Sequence, residues 1–165
     1  MSEARRASNP LDSDSSRGPQ VDKMQFDRVL EFVQYAKDNH ITVGDVGYFV
    51  EPTILLDAPE DSKVMKEEIF GPVVCINTFT DEKDVIKLAN DTEFGLFASV
   101  FTKDVSRAWR LAKALEAKAI GVNCTSPVGA MDVPVGGWKQ SGDGREFGKY
   151  CTDYWTEVKA VFFAL

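Results

Sequence analysis

From Val73 to Asn123 the chain reads strand, helix, strand, helix, strand, with connections long enough for crossovers and too long for hairpins. Val73-Val74-Cys75-Ile76-Asn77 has the continuous apolar character of a buried strand. Thr80 then reads as a helix N-cap with Asp81 and Glu82 placed against the positive end of the helix dipole, and Val85, Leu88 and Ala89 fall on one side before the helix stops near Thr92. Phe97–Phe101 is the second strand. Asp104 caps a helix whose apolar stripe is Val105, Ala108, Trp109, Ala112 and Leu115, and Ala119–Asn123 is the third strand. Strands joined through helices in this way lie parallel, with right-handed connections. The pattern therefore predicts an α/β fold built from βαβ units with a mostly parallel sheet. Ligands of such sheets gather at the carboxyl ends of strands, here near Thr78, Thr102 and Cys124.

Upstream, Phe26, Val29, Leu30 and Val33 recur at helical spacing after Asp22, a plausible N-cap. Ile41-Thr42-Val43 suits a short strand, and Gly44-Asp45-Val46-Gly47 turns the chain. Tyr48-Phe49-Val50 and Thr53–Leu56 are β-rich, with Pro52 marking an edge or bulge. Pro59-Glu60-Asp61-Ser62 opens a short helix through Met65. Downstream of Thr125 the chain is rich in Gly and Pro as far as Gly144; Arg145–Thr156 reads as a helix weakened by Gly148, and Val158–Leu165 as an apolar terminal strand. Residues 1–20 hold almost no apolar side chains, and taken alone they cannot offset the entropy of ordering. The expected organisation is a polar tail or loop over 1–20, a folded body over 21–157 and a terminal strand over 158–165.

The 165 residues suffice for a core, since a chain of this size buries about 68–70% of its unfolded surface. A net charge of -7 with scattered Lys and Arg argues against nucleic acid, whose phosphates need clustered cations. Three unclustered cysteines supply no disulfide framework and suit a reducing compartment. With no apolar run of about 20 residues and no apolar leader, the expected setting is the cytosol, without a membrane partner.

Three segments carry a more specific signal: Lys66-Glu67-Glu68-Ile69-Phe70-Gly71-Pro72-Val73-Val74, Asn90-Asp91-Thr92-Glu93-Phe94-Gly95-Leu96, and Pro134-Val135-Gly136-Gly137-Trp138-Lys139-Gln140-Ser141-Gly142. In this order and spacing, with Thr156-Glu157-Val158-Lys159 near the end, they resemble the aldehyde dehydrogenase superfamily. The resemblance runs from about Asn9 to Leu165 and covers roughly the family's last third. It implies the C-terminal part of the catalytic domain and a C-terminal oligomerisation strand. In the family a cysteine attacks the aldehyde, hydride passes to NAD or NADP, and a carboxylate-activated water releases the acid. The nucleophile, the general-base glutamate and the dinucleotide domain lie upstream of the part matched. The expectation is a dehydrogenase relative that does not turn over aldehydes by itself. The alternative is a non-enzymatic partner that pairs its terminal strand with a full-length homologue or with another copy of itself.

Residue by residue, Glu68 and Phe70 match the family's Glu-x-Phe, whose glutamate accepts hydrogen bonds from the nicotinamide ribose and whose ring packs beside it. An ionised carboxylate suits a vicinal diol. Without the motif, Glu67 and Glu68 would read as a solvated helix end and Phe70 as core. Gln25 matches a position near the adenine ribose, and Val135 stands where many relatives place a phenylalanine lining the substrate tunnel. Among the cysteines, Cys75 reads as core, Cys124 follows a strand outside the family's nucleophile context, and Cys151 lies in the expected helix. His40 has no catalytic or metal context, and no metal-binding spacing occurs. Gly142-Asp143-Gly144-Arg145-Glu146-Phe147 imitates a dinucleotide fingerprint but follows a loop and has Phe147 at the third glycine position, so its glycines read as structural.

Overall fold

The computed structural model describes residues 10–13, 15, 17–37, 48–125 and 132–164. They form two compact units that divide between Thr78 and Phe79. The expected Ile41–Val43 strand, the turn after it and His40 lie outside the described residues.

In the first unit, α1 (Lys23–Lys37) is followed by β1 (Thr53–Leu56), the single-turn α2 (Lys63–Lys66) and β2 (Val73–Ile76). Asp22 caps α1, its Oδ1 accepting from the Gln25 N–H at 2.8 Å, as its position suggested. The strands are parallel, with Thr53 opposite Val73 and Leu56 opposite Ile76. The core forms where α1 meets this sheet. Val29, Phe32 and Val33 are fully buried with Val50, and Ala36, Leu55, Val64 and Ile69 complete the cluster. Because strand side chains alternate between faces, Thr53 and Leu55 turn inward while Ile54 and Leu56 are exposed. Val74 and Ile76 on β2 are exposed as well. Parallel sheets ordinarily bury both faces, and this one buries only the face under α1. At the polar start, Arg17 donates to the Val50 carbonyl and the Gln20 N–H to the Tyr48 carbonyl, which ties 17–20 to this unit.

The second unit contains α3 (Glu82–Asn90), β3 (Phe97–Val100), α4 (Val105–Ala114) and β4 (Ala119–Val122). As expected, β3 and β4 are parallel, joined through α4 and in register from Phe97–Ala119 to Val100–Val122. Asp104 caps α4 by accepting from the Arg107 N–H. At α3 the cap is Asp81 and not Thr80: its Oδ1 accepts from the N–H groups of Lys83 and Asp84, and the helix begins one residue later than the pattern suggested. Arg110 binds both carboxylate oxygens of Glu82 at 2.9 and 3.0 Å, and Arg107 adds a third contact at 3.2 Å, joining α4 to the start of α3. These charges hold the Glu82 carboxyl below its ordinary pKa, chiefly through the Arg110 hydrogen bond. Between the helices and β3 runs a groove of about 500 Å³ lined by Val85, Ala98, Val100, Leu111 and Leu115 among others.

The helix expected over Arg145–Thr156 reduces to a single 3₁₀ turn, Cys151–Tyr154. The reason is local, since Gly144, Phe147 and Gly148 all have positive φ and break the right-handed progression. Residues 156–164 make no strand ladder among the described residues, and Val158, Phe162 and Phe163 stand almost wholly in solvent. A strand needs a neighbour, and none of the described residues supplies one.

Candidate functional site

The segment Glu68–Pro72 leaves α2 and enters β2. Its shape follows from one buried side chain, one strained residue and one glycine. Ile69 is 8% exposed and belongs to the core under α1, whereas Glu68 and Phe70 on either side face outward. This is the alternation of extended backbone: residues two apart share a side. Phe70 then takes φ +58°, in the left-handed region that side-chain-bearing residues seldom occupy, and the chain turns through Gly71-Pro72 into β2. Gly71 lies against α1 so closely that a Cβ there would stand 2.6 Å from Val29 Cγ2 and 2.8 Å from Cγ1.

The reading of Phe70 as core, the one that held without the motif, is overturned, because the residue is 71% exposed. Among the described residues the Glu68 side chain has no partner; only its backbone carbonyl is engaged. A carboxylate acceptor and an aromatic face are thus presented together, two residues apart, on a segment anchored from beneath.

Gln25 is brought to the same place. Its Nε2 donates to the carbonyls of Phe70 at 3.0 Å and Ile69 at 3.3 Å. Two carbonyl acceptors require the amide nitrogen on that side, which leaves Oε1 as an acceptor. One helical turn on, Arg28 Nη2 donates to the Glu68 carbonyl at 3.1 Å. Gln25 and Arg28 lie at i and i+3, neighbours on one face of α1. No local sequence signal marks Arg28 for this task, since its partner is 40 positions away.

The other candidates lie elsewhere. Cys75 is partly buried and donates to the Val64 carbonyl at 3.6 Å; burial pushes its thiol pKa up, the wrong direction for a nucleophile. Cys151 donates to the Gly148 carbonyl at 3.0 Å, and Cys124 is exposed. At the ends of β3 and β4, Asn123 ties the strands together: its Oδ1 accepts from the Thr102 N–H and its Nδ2 donates to the Thr102 carbonyl. Among the described residues no three His, Cys, Asp or Glu side chains converge to hold a metal ion.

The glycine-rich stretch after Pro134 has a structural task. Lys139 Nζ donates to the carbonyls of Asn90 and Thr92 at 2.8 and 3.1 Å and pairs with Glu116 at 2.7 Å. Asn90 in turn bonds the Ala114 carbonyl and the Glu116 N–H. The 138–141 segment is thereby fastened across the turns that follow α3 and α4. Gly137 packs against the Ser141 backbone, and Val135 exchanges both backbone hydrogen bonds with Glu146. Gly142 and Gly144 have φ of +124° and +78°, in keeping with their reading as structural glycines.

The family model described as the aldehyde dehydrogenase family matches residues 1–161. An aldehyde dehydrogenase from Aspergillus niger is 42% identical over 167 residues, covering 97% of this chain and 33% of the relative. Aldehyde dehydrogenase 1A1 from Oryctolagus cuniculus is 42% identical over 93% of this chain and 32% of its own length. Among solved structures, the indole-3-acetaldehyde dehydrogenase AldA of P. syringae, as a C302A mutant in complex with NAD+ and IAA, superposes with a TM-score of 0.89 at 35% identity, covering 98% of this chain and 34% of that one. The NAD+ complex of the Bacillus cereus aldehyde dehydrogenase gives 0.83 at 38% identity, over 92% and 32%. The chain spans about a third of the length of the relatives it matches. It belongs to the aldehyde dehydrogenase family.

Proposed function

We propose that this segment supplies the cofactor-ribose contacts and the C-terminal part of the catalytic domain of an NAD(P)-dependent aldehyde dehydrogenase, and that the 165-residue polypeptide by itself does not oxidise aldehydes. The observation that carries the first part is the outward pairing of the unpartnered Glu68 carboxylate with the exposed Phe70 ring on an anchored loop. Glu68 and Phe70 fit the nicotinamide ribose, the carboxylate accepting from vicinal hydroxyls and the ring offering an apolar face beside them; Gln25, expected near the adenine ribose, sits on α1 behind this same segment and keeps its Oε1 as an acceptor. The bound dinucleotide would supply the hydride acceptor; this chain's part is to bind and orient it.

The second part rests on the thiols present. A family nucleophile must be accessible and easily ionised. Cys75 is held as a thiol by burial and bonded to a carbonyl, Cys151 is bonded to the Gly148 carbonyl, and exposed Cys124 makes no side-chain hydrogen bond to a base among the described residues. The purified polypeptide should give no aldehyde-dependent NADH above the blank. Sustained turnover would refute this reading.

A second reading is favoured by the tail. Val158, Phe162 and Phe163 are almost fully exposed, and such a segment is a template for strand addition to a full-length homologue or to a second copy. Co-purification with an intact family member, lost on removal of residues 156–165, supports it. A chain that stays monomeric beside such a partner excludes it. The cytosolic setting remains part of this proposal; no helix among the described residues is long and apolar enough to cross a membrane.

A further inference from the structure

The Glu68–Phe70 segment is not self-supporting. Left-handed backbone at a phenylalanine is strained, and strain of this kind persists only where the surroundings over-determine it. Within the segment only Ile69 is anchored, by burial in the core under α1. Phe70 and Glu68 are exposed, and α2 is a single turn whose last residue is Lys66. What holds it comes from α1. Three successive carbonyls, those of Glu68, Ile69 and Phe70, accept from two side chains one helical turn apart: Arg28 takes the first and Gln25 the other two. Val29, next after Arg28 and one turn on from Gln25, meets Gly71 at the far end of the segment.

We infer that Gln25 and Arg28 are positioning residues, a clasp that fixes the backbone of Glu68–Phe70 so that the carboxylate and the ring face outward together. The inference rests on the proposed ribose reading for its purpose, but the clasp is a separate physical claim. It gives Gln25 a backbone-holding task in addition to the acceptor role above, and it gives Arg28 a task with no cofactor contact. Because all three bonds end on backbone carbonyls, the clasp does not use the side chains at 68 and 70 and fails when the donors at 25 and 28 go.

The test uses the full chain, isotopically labelled for NMR. A residue at positive φ has a short intraresidue HN–Hα distance and a correspondingly strong cross-peak. In Gln25→Ala/Arg28→Ala that cross-peak at Phe70 should weaken to the level of ordinary extended residues while the Val29 and Val33 methyl signals stay in place. Chymotryptic cleavage after Phe70 should rise about tenfold, because cleavage follows the population of the locally open segment. Gln25→Glu keeps the length and removes the donor, so it should reproduce the loss at Phe70 without creating a cavity. A retained cross-peak and unchanged cleavage in both variants would overturn the clasp. The cofactor separates the two claims. In the Aspergillus niger relative carrying this chain in place of its matching third, a KM for NAD+ raised by Glu68→Gln and by the clasp variants supports both; a KM indifferent to Glu68→Gln, with the clasp variants behaving as stated in the NMR and cleavage measurements, defeats the ribose reading and leaves the clasp standing.

Discussion

The contact between Gly71 and Val29 predicts a specific non-additivity. Gly71 does not have positive φ, so its backbone would accept an alanine; the demand for glycine is steric. An added Cβ would lie 2.6 and 2.8 Å from the two Val29 methyls, about 1 Å inside the 3.5–4.0 Å separation of unstrained carbons. Val29 cannot rotate away, since it is 0% exposed and a β-branched residue in a helix has one strongly preferred rotamer. Overpacking of this kind costs about 1–3 kcal/mol. Val29→Ala alone removes two buried methyls, about 1.6 kcal/mol of transfer energy at 0.8 per carbon. The cavity left behind brings the total to about 2–3 kcal/mol. In the double variant the methyl at 71 enters space that Val29 vacates. The combined cost should therefore fall short of the sum by about 1–2 kcal/mol, well outside the ~0.3–0.5 kcal/mol scatter of independent sites. Trp109, Trp138 and Trp155 all lie beyond Phe79, so their fluorescence is a poor reporter of this contact. Hydrogen exchange of the α1 amides reads it directly. Additive costs would show that α1 does not seat the 68–72 segment as described.

Three further outcomes follow from the second unit. Lys139→Met removes an ammonium bonded to two carbonyls and one carboxylate, and should destabilise that unit by about 2–4 kcal/mol, measured by tryptophan fluorescence in urea. The Glu82 carboxyl is depressed by Arg110 and then Arg107, and Asp104 by the Arg107 N–H, so both bind fewer protons folded than unfolded. Their stabilisation is present above the unfolded pKa values of 4.5 and 3.8 and is lost as pH falls through the lower folded values. The urea midpoint should drop on acidification below about pH 4.5, and less so in Glu82→Gln. Deleting residues 156–165 should change the unfolding free energy by less than about 0.5 kcal/mol, because the described part of that segment is exposed throughout.

Much of the fold was legible where local chemistry and tertiary structure agree. The helical spacing found Val29 and Val33 at the centre of the core, and Asp22 and Asp104 cap as their positions suggested. The same reading missed Phe32 and Ala36, which extend the buried stripe of α1 by another turn. Thr80 and Asp81 were near-equivalent as caps, and only the backbone decided between them. At the site, composition pointed Phe70 inward; the left-handed turn that exposes it is one a phenylalanine disfavours, so propensity could not announce it. Gln25 and Arg28 act across 40 to 45 positions, and Lys139 across 47 to 49. Such bonds follow from the assembled fold and leave no periodic trace.

The most direct measurement grafts this chain in place of the matching third of the Aspergillus niger relative and compares the KM for NAD with that of the same graft carrying Glu68→Gln. A soluble graft should form NADH with aldehyde, and the substitution should raise the KM by about tenfold or more, the loss expected for a charge-assisted hydrogen bond to the ribose. A soluble, active graft whose KM and kcat ignore Glu68→Gln would contradict the assignment of this segment to the cofactor ribose.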